Sequence, residues 1–335
     1  MRNTTLAAAV AATLTLPVSA YAIGPIDGSV YGKVNISVVS DDNGNDQQME
    51  LNSNASRIGV KGKTKLTESL YVIFKAEYES YWDDGKSSSS KGGDTFEQRN
   101  IIAGLKGDFG TIWGGKHDSP TKLAQKKIDL FNDLEGDIKH VMAGETRAAN
   151  ILNYTTPNFN GFSASIATIF GEDRGDDEQD GFFDSYSALA QYDSDGLYMA
   201  LALDENVKSG SASQGLGKEY LNIVRVVGQI PLGSVTLGAL WQTAEEGDSA
   251  ANGVKLDEDS WHVSAKWKAG NGCTLKAQYT ESEDDESGRD ADMMSLGVDK
   301  KLGKKTKLFA FYTKLDESAS QDDQDWIGVG LEHKF

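Results

Sequence analysis

The run Ser29-Val30-Tyr31-Gly32-Lys33-Val34-Asn35-Ile36-Ser37-Val38-Val39 changes character at every step. Val30, Gly32, Val34, Ile36 and Val38 share one parity, and Tyr31, Lys33, Asn35 and Ser37 share the other. Side chains in a strand point to opposite faces in turn, so this is a strand with one apolar and one wet face. The pattern recurs on moving outward. Ile58 and Val60 oppose Arg57, Lys61 and Lys63, and then Leu70, Val72, Phe74, Ala76 and Tyr78 oppose Lys75, Glu77 and Glu79. Alternation is clear again at Val235, Leu237, Ala239 and Trp241, at Trp261, Val263, Ala265 and Trp267, and at Cys273, Leu275, Ala277 and Tyr279. The last strand sets Ile327, Val329, Leu331, His333 and Phe335 against Gly328, Gly330, Glu332 and Lys334. Both faces mix over 99–106 and 307–312.

Turn chemistry joins these runs in pairs at 66–69, 106–108, 157–161, 193–196, 231–233, 269–272 and 302–305. Longer polar connections separate the pairs. About sixteen strands result, with short turns on one side and long loops on the other, which is the layout of an outer-membrane barrel. Pro25, Pro120, Pro157 and Pro231 are all expected outside the strands, as a sheet with two neighbours per strand requires. Tyr78, Tyr81, Tyr154, Phe159, Phe162, Tyr192, Trp267 and Trp326 fall near strand ends, where interfacial girdles lie. A soluble sandwich would need its wet face outside, whereas a transmembrane barrel places it inside.

The ends and the composition agree with an exported chain. Residues 1–22 read as a secretory signal peptide, with Arg2 at its start, an apolar centre over 6–16 and the small-x-small site Ala20-Tyr21-Ala22. Residues 23–335 then form one barrel domain. Cys273 is alone, so no intrachain disulfide is available. A formal charge of −18 argues against nucleic acid, whose phosphates require clustered cations. Acids gather at 41–46, 172–180, 245–248, 281–290 and 316–325, all expected in loops. They keep those loops solvated, or bridge through Ca2+ or Mg2+ to lipopolysaccharide.

One segment breaks the alternation. Between a short strand over 109–113 and the next over 147–156 lie about thirty residues without it, longer than the 12–15 residues at which structureless connections become uncommon. The segment carries Pro120, Lys122, Lys126 and Lys127, and acids at Asp129, Asp133, Glu135 and Asp137. We expect it to fold back into the tube and narrow it.

Several pieces in order resemble the Gram-negative trimeric general porins, in the branch typified by neisserial and comamonad porins. They are Val30-Tyr31-Gly32, Ser56-Arg57-Ile58-Gly59-Val60-Lys61-Gly62, Arg99 before Gly104-Leu105, and Phe109-Gly110-Thr111 leading to Gly115-Lys116. Arg147-x-x-Asn150-x-x-x-Tyr154-x-x-Pro157, Phe159-x-Gly161-Phe162 and the terminal Phe335 complete the set. The resemblance implies an all-β, sixteen-stranded antiparallel transmembrane barrel with a long third loop folded into the lumen. It also implies a homotrimer in the outer membrane, and recognition of Phe335 by the barrel-assembly machinery. Arg57, Arg99 and Arg147 match the family's basic wall residues. Lys33, Lys61, Lys75 and Lys116 have wet-face parity or sit at nearby strand ends, and Asp118, Asp129, Asp133, Glu135 and Asp137 would face them from the loop. Opposed rows of charge across a narrow neck select among small hydrophilic solutes.

Other chemistry lacks its pattern. His117, His140, His262 and His333 are scattered, no calcium-loop or phosphate-loop spacing is present (Gly215-Leu216-Gly217-Lys218 included), and there is no Gly-x-Ser-x-Gly elbow. An enzyme is not expected. The rival readings are a solute-specific channel, which would bind its solute saturably, and a surface adhesin using the acidic loops.

Overall fold

The computed structural model describes residues 26–85, 95–171, 181–209, 219–250, 255–318 and 323–335. The signal peptide expected over 1–22, Pro25, the acidic run 172–180 and the glycine-rich run 215–218 lie outside the described residues. The strands are β1 (Asp27–Asp42), β2 (Gln47–Ser53), β3 (Arg57–Lys65), β4 (Tyr71–Ser80), β5 (Phe96–Gly107), β6 (Gly110–Asp118), β7 (Arg147–Thr155), β8 (Phe162–Ile169) and β9 (Tyr186–Ser194). They continue with β10 (Leu197–Lys208), β11 (Tyr220–Leu232), β12 (Val235–Glu246), β13 (Asp257–Gly270), β14 (Cys273–Asp284), β15 (Arg289–Lys301), β16 (Thr306–Glu317) and β17 (Gln324–Lys334). A single helical turn, α1 (Pro120–Ala124), stands between β6 and β7.

Each strand pairs antiparallel with its neighbour, and β1 pairs with β17 from Lys33↔Lys334 to Asp42↔Asp325, so the sheet closes. On its other side β1 pairs with β3 near one end and with β2 near the other. β2 and β3 are therefore two halves of one broken stave, and the closed sheet has sixteen. The break is at 54–56, where Ala55 adopts φ 48°. Buried polar groups fill it: Asn54 Nδ2 donates to Ser37 Oγ at 2.8 Å, and Asn35 Nδ2 donates to the Asn54 carbonyl at 3.1 Å. The groups freed by the irregular backbone thus find partners.

The apolar parity faces outward. Val30, Val38, Trp241, Val263, Trp267, Ile327 and Val329 are exposed, while Lys33, Asn35, Ser37, Gln242, His262, Gln278 and Thr280 are buried. The two mixed stretches have separate causes. At 99–106 the pairing jumps from Ala76↔Ile101 to Tyr78↔Gln98, so Arg99 and Asn100 together oppose Glu77. This bulge adds one residue to β5, and both Arg99 and Asn100 end up buried. At 307–312 the inner face is itself apolar, because Phe309 and Phe311 lie over Gly330 and Gly328 across the strand pair.

Three expectations need correction. Strands run on into the acidic patches, so that Asp41, Asp42, Glu245, Glu281, Asp316 and Asp325 are strand residues. Above the hydrocarbon band no apolar parity is needed, and the pairing continues without it. Pro231 lies inside β11, paired with Thr236 of β12. Its β10 side is already free there, because pairing with β10 ends at Gln229, so the missing N–H costs no ladder bond. Trp326 points inward at 8% exposure, packed with Val39, Phe309 and Leu315 rather than at the lipid interface.

Phe335 finishes the seam. Its N–H donates to the Gly32 carbonyl at 3.1 Å, its carbonyl accepts from Gly32 N at 3.3 Å, and its ring crosses Gly32. A Cβ on Gly32 would lie 2.2 Å from Phe335 Cζ. Gly32→Val should therefore cost about 1–3 kcal/mol through overpacking. The folded barrel should convert to the unfolded form at lower temperature on semi-native gels, and an unaltered transition would show that the ring is free to move away.

Candidate functional site

Residues 119–146, the third of the long-side connections, form the one extended segment among the described residues that packs on the inner-parity residues of the sheet. Ser119 caps α1, its side chain accepting from Lys122 N at 3.2 Å, with Pro120 at the first helical position. Asp137 caps a second short turn, Ile138–His140. Along these turns and the chain beside them Ala124, Ile128, Phe131, Ile138, Val141 and Met142 are buried. They meet inward-pointing Leu189, Tyr198, Ala200 and Val227 on one side, and Val39, Met293, Phe309 and Phe311 on the other. The backbone of the segment is held as well. Gln278 accepts from Leu130 N at 2.8 Å and donates to the Gly136 carbonyl at 2.6 Å, and Lys276 Nζ donates to the Leu130 carbonyl at 3.1 Å. His262 Nε2 lies 3.3 Å from the Ile128 carbonyl, and Tyr198 OH donates to the Ala124 carbonyl at 2.8 Å.

Arg225 of β11 is the strongest anchor. Its side chain is fully buried and donates to Gln242 Oε1 (2.8 Å), the Thr121 carbonyl (3.2 Å), the Ala143 carbonyl (2.9 Å) and Glu145 Oε1 (3.0 Å). One guanidinium thereby ties both ends of the segment to the wall. Burial pushes the Glu145 carboxyl up, against the opposing pull of Lys122 and Arg225.

A charged surface lies on the β1–β7 side. Asp133, at the tip of the segment, accepts from Lys33 Nζ at 2.7 Å and from Arg57 Nη2 at 2.6 Å. Burial raises its carboxyl, but Lys33, Arg57 and Arg99 outweigh this and hold it well below the usual carboxylate range. On the wall beside it, Glu77 is approached by Lys75 (3.4 Å), Arg99 (3.4 Å) and Arg57 (3.9 Å), and receives the Tyr31 hydroxyl at 2.8 Å. Arg99 also donates to Glu79. Arg147 pairs with Asp118 at 2.9 Å and donates to Asn100 at the same distance. Lys122 stands 3.9 Å from Asp118.

The structure thus brings together Lys33, Arg57, Lys75, Arg99, Arg147, Asp118 and Asp133. Asp118, expected on the loop, stands instead on the wall as the last residue of β6, paired with Arg147 of β7 because the strand runs on to that point. The other expected residues are left out. Lys61 is exposed, with its ammonium over the Tyr31 ring, and Lys116 sits at a bulge between β6 and β7; neither is in an ion pair among the described residues. Asp129 turns into its own segment, accepting from Phe131 N and Ile138 N, and burial with the adjacent Asp137 raises its carboxyl well above the ordinary range. Asp137 accepts from the backbone of Asp133 and Lys139. Glu135 faces β2, accepting from Asn52 at 2.9 Å. Short polar side chains that close turns leave too little reach for the opposite wall, which parity cannot reveal. Glu77 and Glu79, which share the inward parity of Lys75, join this cluster as well. Arg225 carries no such signal, since Val224, Val226 and Val227 surround it.

A family model of Gram-negative porins matches residues 5–320. The chain belongs to the Gram-negative porin family. It is accordingly an outer-membrane protein, in a family of channels and not of enzymes. A curated relative, the outer membrane porin protein 32 of Delftia acidovorans, is 30% identical over 176 residues, spanning 48% of this chain and 49% of the relative. The alignment thus spans about half of that relative's length. Two solved structures share the fold. The anion-selective porin from Comamonas acidovorans superposes with TM-score 0.76 at 22% identity, over 93% of this porin and 100% of that chain. OmpT of Vibrio cholerae in its trimer form gives TM-score 0.68 at 18% identity, over 93% and 100%.

Removing one partner of a buried ion pair costs about 3–5 kcal/mol. Arg225→Ala should therefore release residues 119–146, seen as faster amide exchange there with strand protection unchanged; equal exchange in the variant would discount the anchor. The pH response follows from Asp133. A carboxyl held below its unfolded value stabilises fully above about pH 4 and ceases to as pH falls through its folded value. Protection at 131–137, corrected for intrinsic exchange, should hold from pH 7 to about 4 and fall below that. Loss already near pH 6 would contradict the Asp133 pairing.

Proposed function

We propose that this porin forms a water-filled channel for passive diffusion of ions and small hydrophilic solutes across the outer membrane, and that residues 119–146 lie within the bore as its constriction. The observation that carries this reading is the contact pattern of the segment: inner-parity residues from β1, β3 and β9–β17 all touch it. What remains for water is the charged side near β1 and β3–β7. Polar walls let a hydrated solute exchange its water for side-chain contacts, and fixed charge sorts ions by sign.

The ordered roles follow from the pairings. Arg57, Lys75, Arg99 and Arg147, with Lys33 and Lys122, supply the basic rim. Asp133 opposes it from the segment, while Glu77, Glu79 and Asp118 balance it from the wall itself. Lys61 and Lys116 are outside this set, Asp129 and Asp137 shape the segment, and Glu135 holds it to β2. The assembly would be a homotrimer, a form also recorded for the Vibrio cholerae relative of like fold. Phe335 at the seam would serve as the terminal mark for the barrel-assembly machinery, residues 1–22 as the export signal, and the acidic rim as a contact for lipopolysaccharide through Ca2+ or Mg2+.

Planar-bilayer recording in a salt gradient tests the selectivity. Arg57→Ser and Arg147→Ser each remove one positive charge from the rim, so each should move the reversal potential towards cation preference. An unchanged potential in both variants would take these residues out of the ion path.

A further inference from the structure

The outer wall carries a groove that the transport reading does not use. It has a volume of about 520 Å³ and crosses β15, β16, β17 and β1. Register explains it. Val298, Ala310, Val329 and Val38 are consecutive cross-strand partners, so they form one row along the sheet. Two residues nearer the short-turn end runs a second row, Lys300, Leu308, Leu331 and Ile36. The first row is low at Ala310, where a methyl group stands among larger neighbours. The volume is within the range of about 300–1,000 Å³ typical of small-molecule sites.

The groove ends in charge. Lys300 lines it, and the turn just beyond adds Lys301, Lys304 and Lys305, all exposed. Lys300 Nζ donates to the Asn271 carbonyl at 2.7 Å, which leaves two of its three N–H donors for a ligand. None of these four lysines is in an ion pair among the described residues, although the chain carries a formal charge of −18. Leu302, at the same turn, is 59% exposed. Short turns of outer-membrane barrels lie on the periplasmic side, where the leaflet is phospholipid.

We propose that this groove is a specific site for an anionic phospholipid of the periplasmic leaflet, with one acyl chain over Ala310 and the headgroup phosphate at the 300–305 turn. The two features act on different parts of one molecule. The groove takes hydrocarbon in place of bulk lipid through shape alone, because both are equally apolar. The lysines supply the preference for negative charge, as juxtamembrane basic clusters do. A zwitterionic lipid would gain the first contact and little of the second.

The test is native mass spectrometry of the full-length porin purified in detergent and titrated with phosphatidylglycerol or phosphatidylethanolamine. Retention of phosphatidylglycerol should exceed that of phosphatidylethanolamine by about tenfold or more, given the gain each lysine supplies near an anionic group. Replacing Lys300, Lys301, Lys304 and Lys305 together by Gln should abolish the preference; these side chains are exposed, so the barrel should fold. Ala310→Phe should reduce retention of both lipids. Equal retention of the two lipids by the unaltered porin, or a preference surviving the fourfold Gln variant, would overturn the proposal. So would an Ala310→Phe variant that dissociates the oligomer while its lipid retention is unchanged, since the groove would then seat a second copy.

Discussion

Hydrocarbon offers no hydrogen-bond partner, so a strand edge left in the bilayer would strand a row of N–H and C=O groups at several kcal/mol each. Closure of β1 on β17 removes that edge. Everything else in the molecule is arranged around the closed ring. A ring needs one face for lipid and one for the bore, which fixes the two-residue period. Its last register is set by Phe335 against Gly32, where the chain end bonds to β1 in both directions. The irregular step at 54–56 is tolerated because Ser37, Asn35 and Ser56 give its backbone and side chains partners on the inner face.

The same ring produces a second constraint on its inside. Water fills whatever the chain does not, so a segment kept there must compete with solvent for every contact. As the proposed constriction, residues 119–146 meet that condition by splitting the inner wall into two kinds of surface. Against β9–β17 the wall is largely apolar or hydrogen-bonded to the segment, with Arg225, Gln242, His262 and Gln278 committed to it. Against β1–β7 it is charged and partly exposed, and Asp133, Glu135 and Lys122 reach it from the segment. On the proposed reading the dry side holds the segment and the wet side is left for solutes. On that reading position and selectivity are carried by different residues.

Much of this was legible in the alternation, since parity alone separates Val30 and Val38 from Lys33 and Ser37, and the closed sheet follows from counting turns. Parity fails where the chain adds a residue. Arg99 and Asn100 share the inner face because of a bulge opposite Glu77, and a bulge is a backbone event that side-chain order does not encode. It also fails where the inner face is dry. Phe309, Phe311 and Trp326 look misplaced until Phe131 and Leu134 are seen against them. Within the segment, charge composition named Asp133 and Asp129 alike. What distinguishes them is φ/ψ and turn closure: Asp133 reaches out from φ 69°, while Asp129 folds onto the N–H groups of Phe131 and Ile138. Arg225 was hidden because a single charge in an apolar run reads as an interruption, and its partners in the segment lie 80 to 104 residues away in the chain.

The most direct measurement is the polymer exclusion limit of the channel, with residues 125–136 deleted and with them present. Neutral polymers of graded size enter a pore only if its narrowest section admits them, and entry lowers conductance. If the segment sets the neck, its removal lets markedly larger polymers reduce the current. An exclusion limit unchanged by the deletion would mean that the bore is narrowed elsewhere, and the account of residues 119–146 as its constriction would not stand.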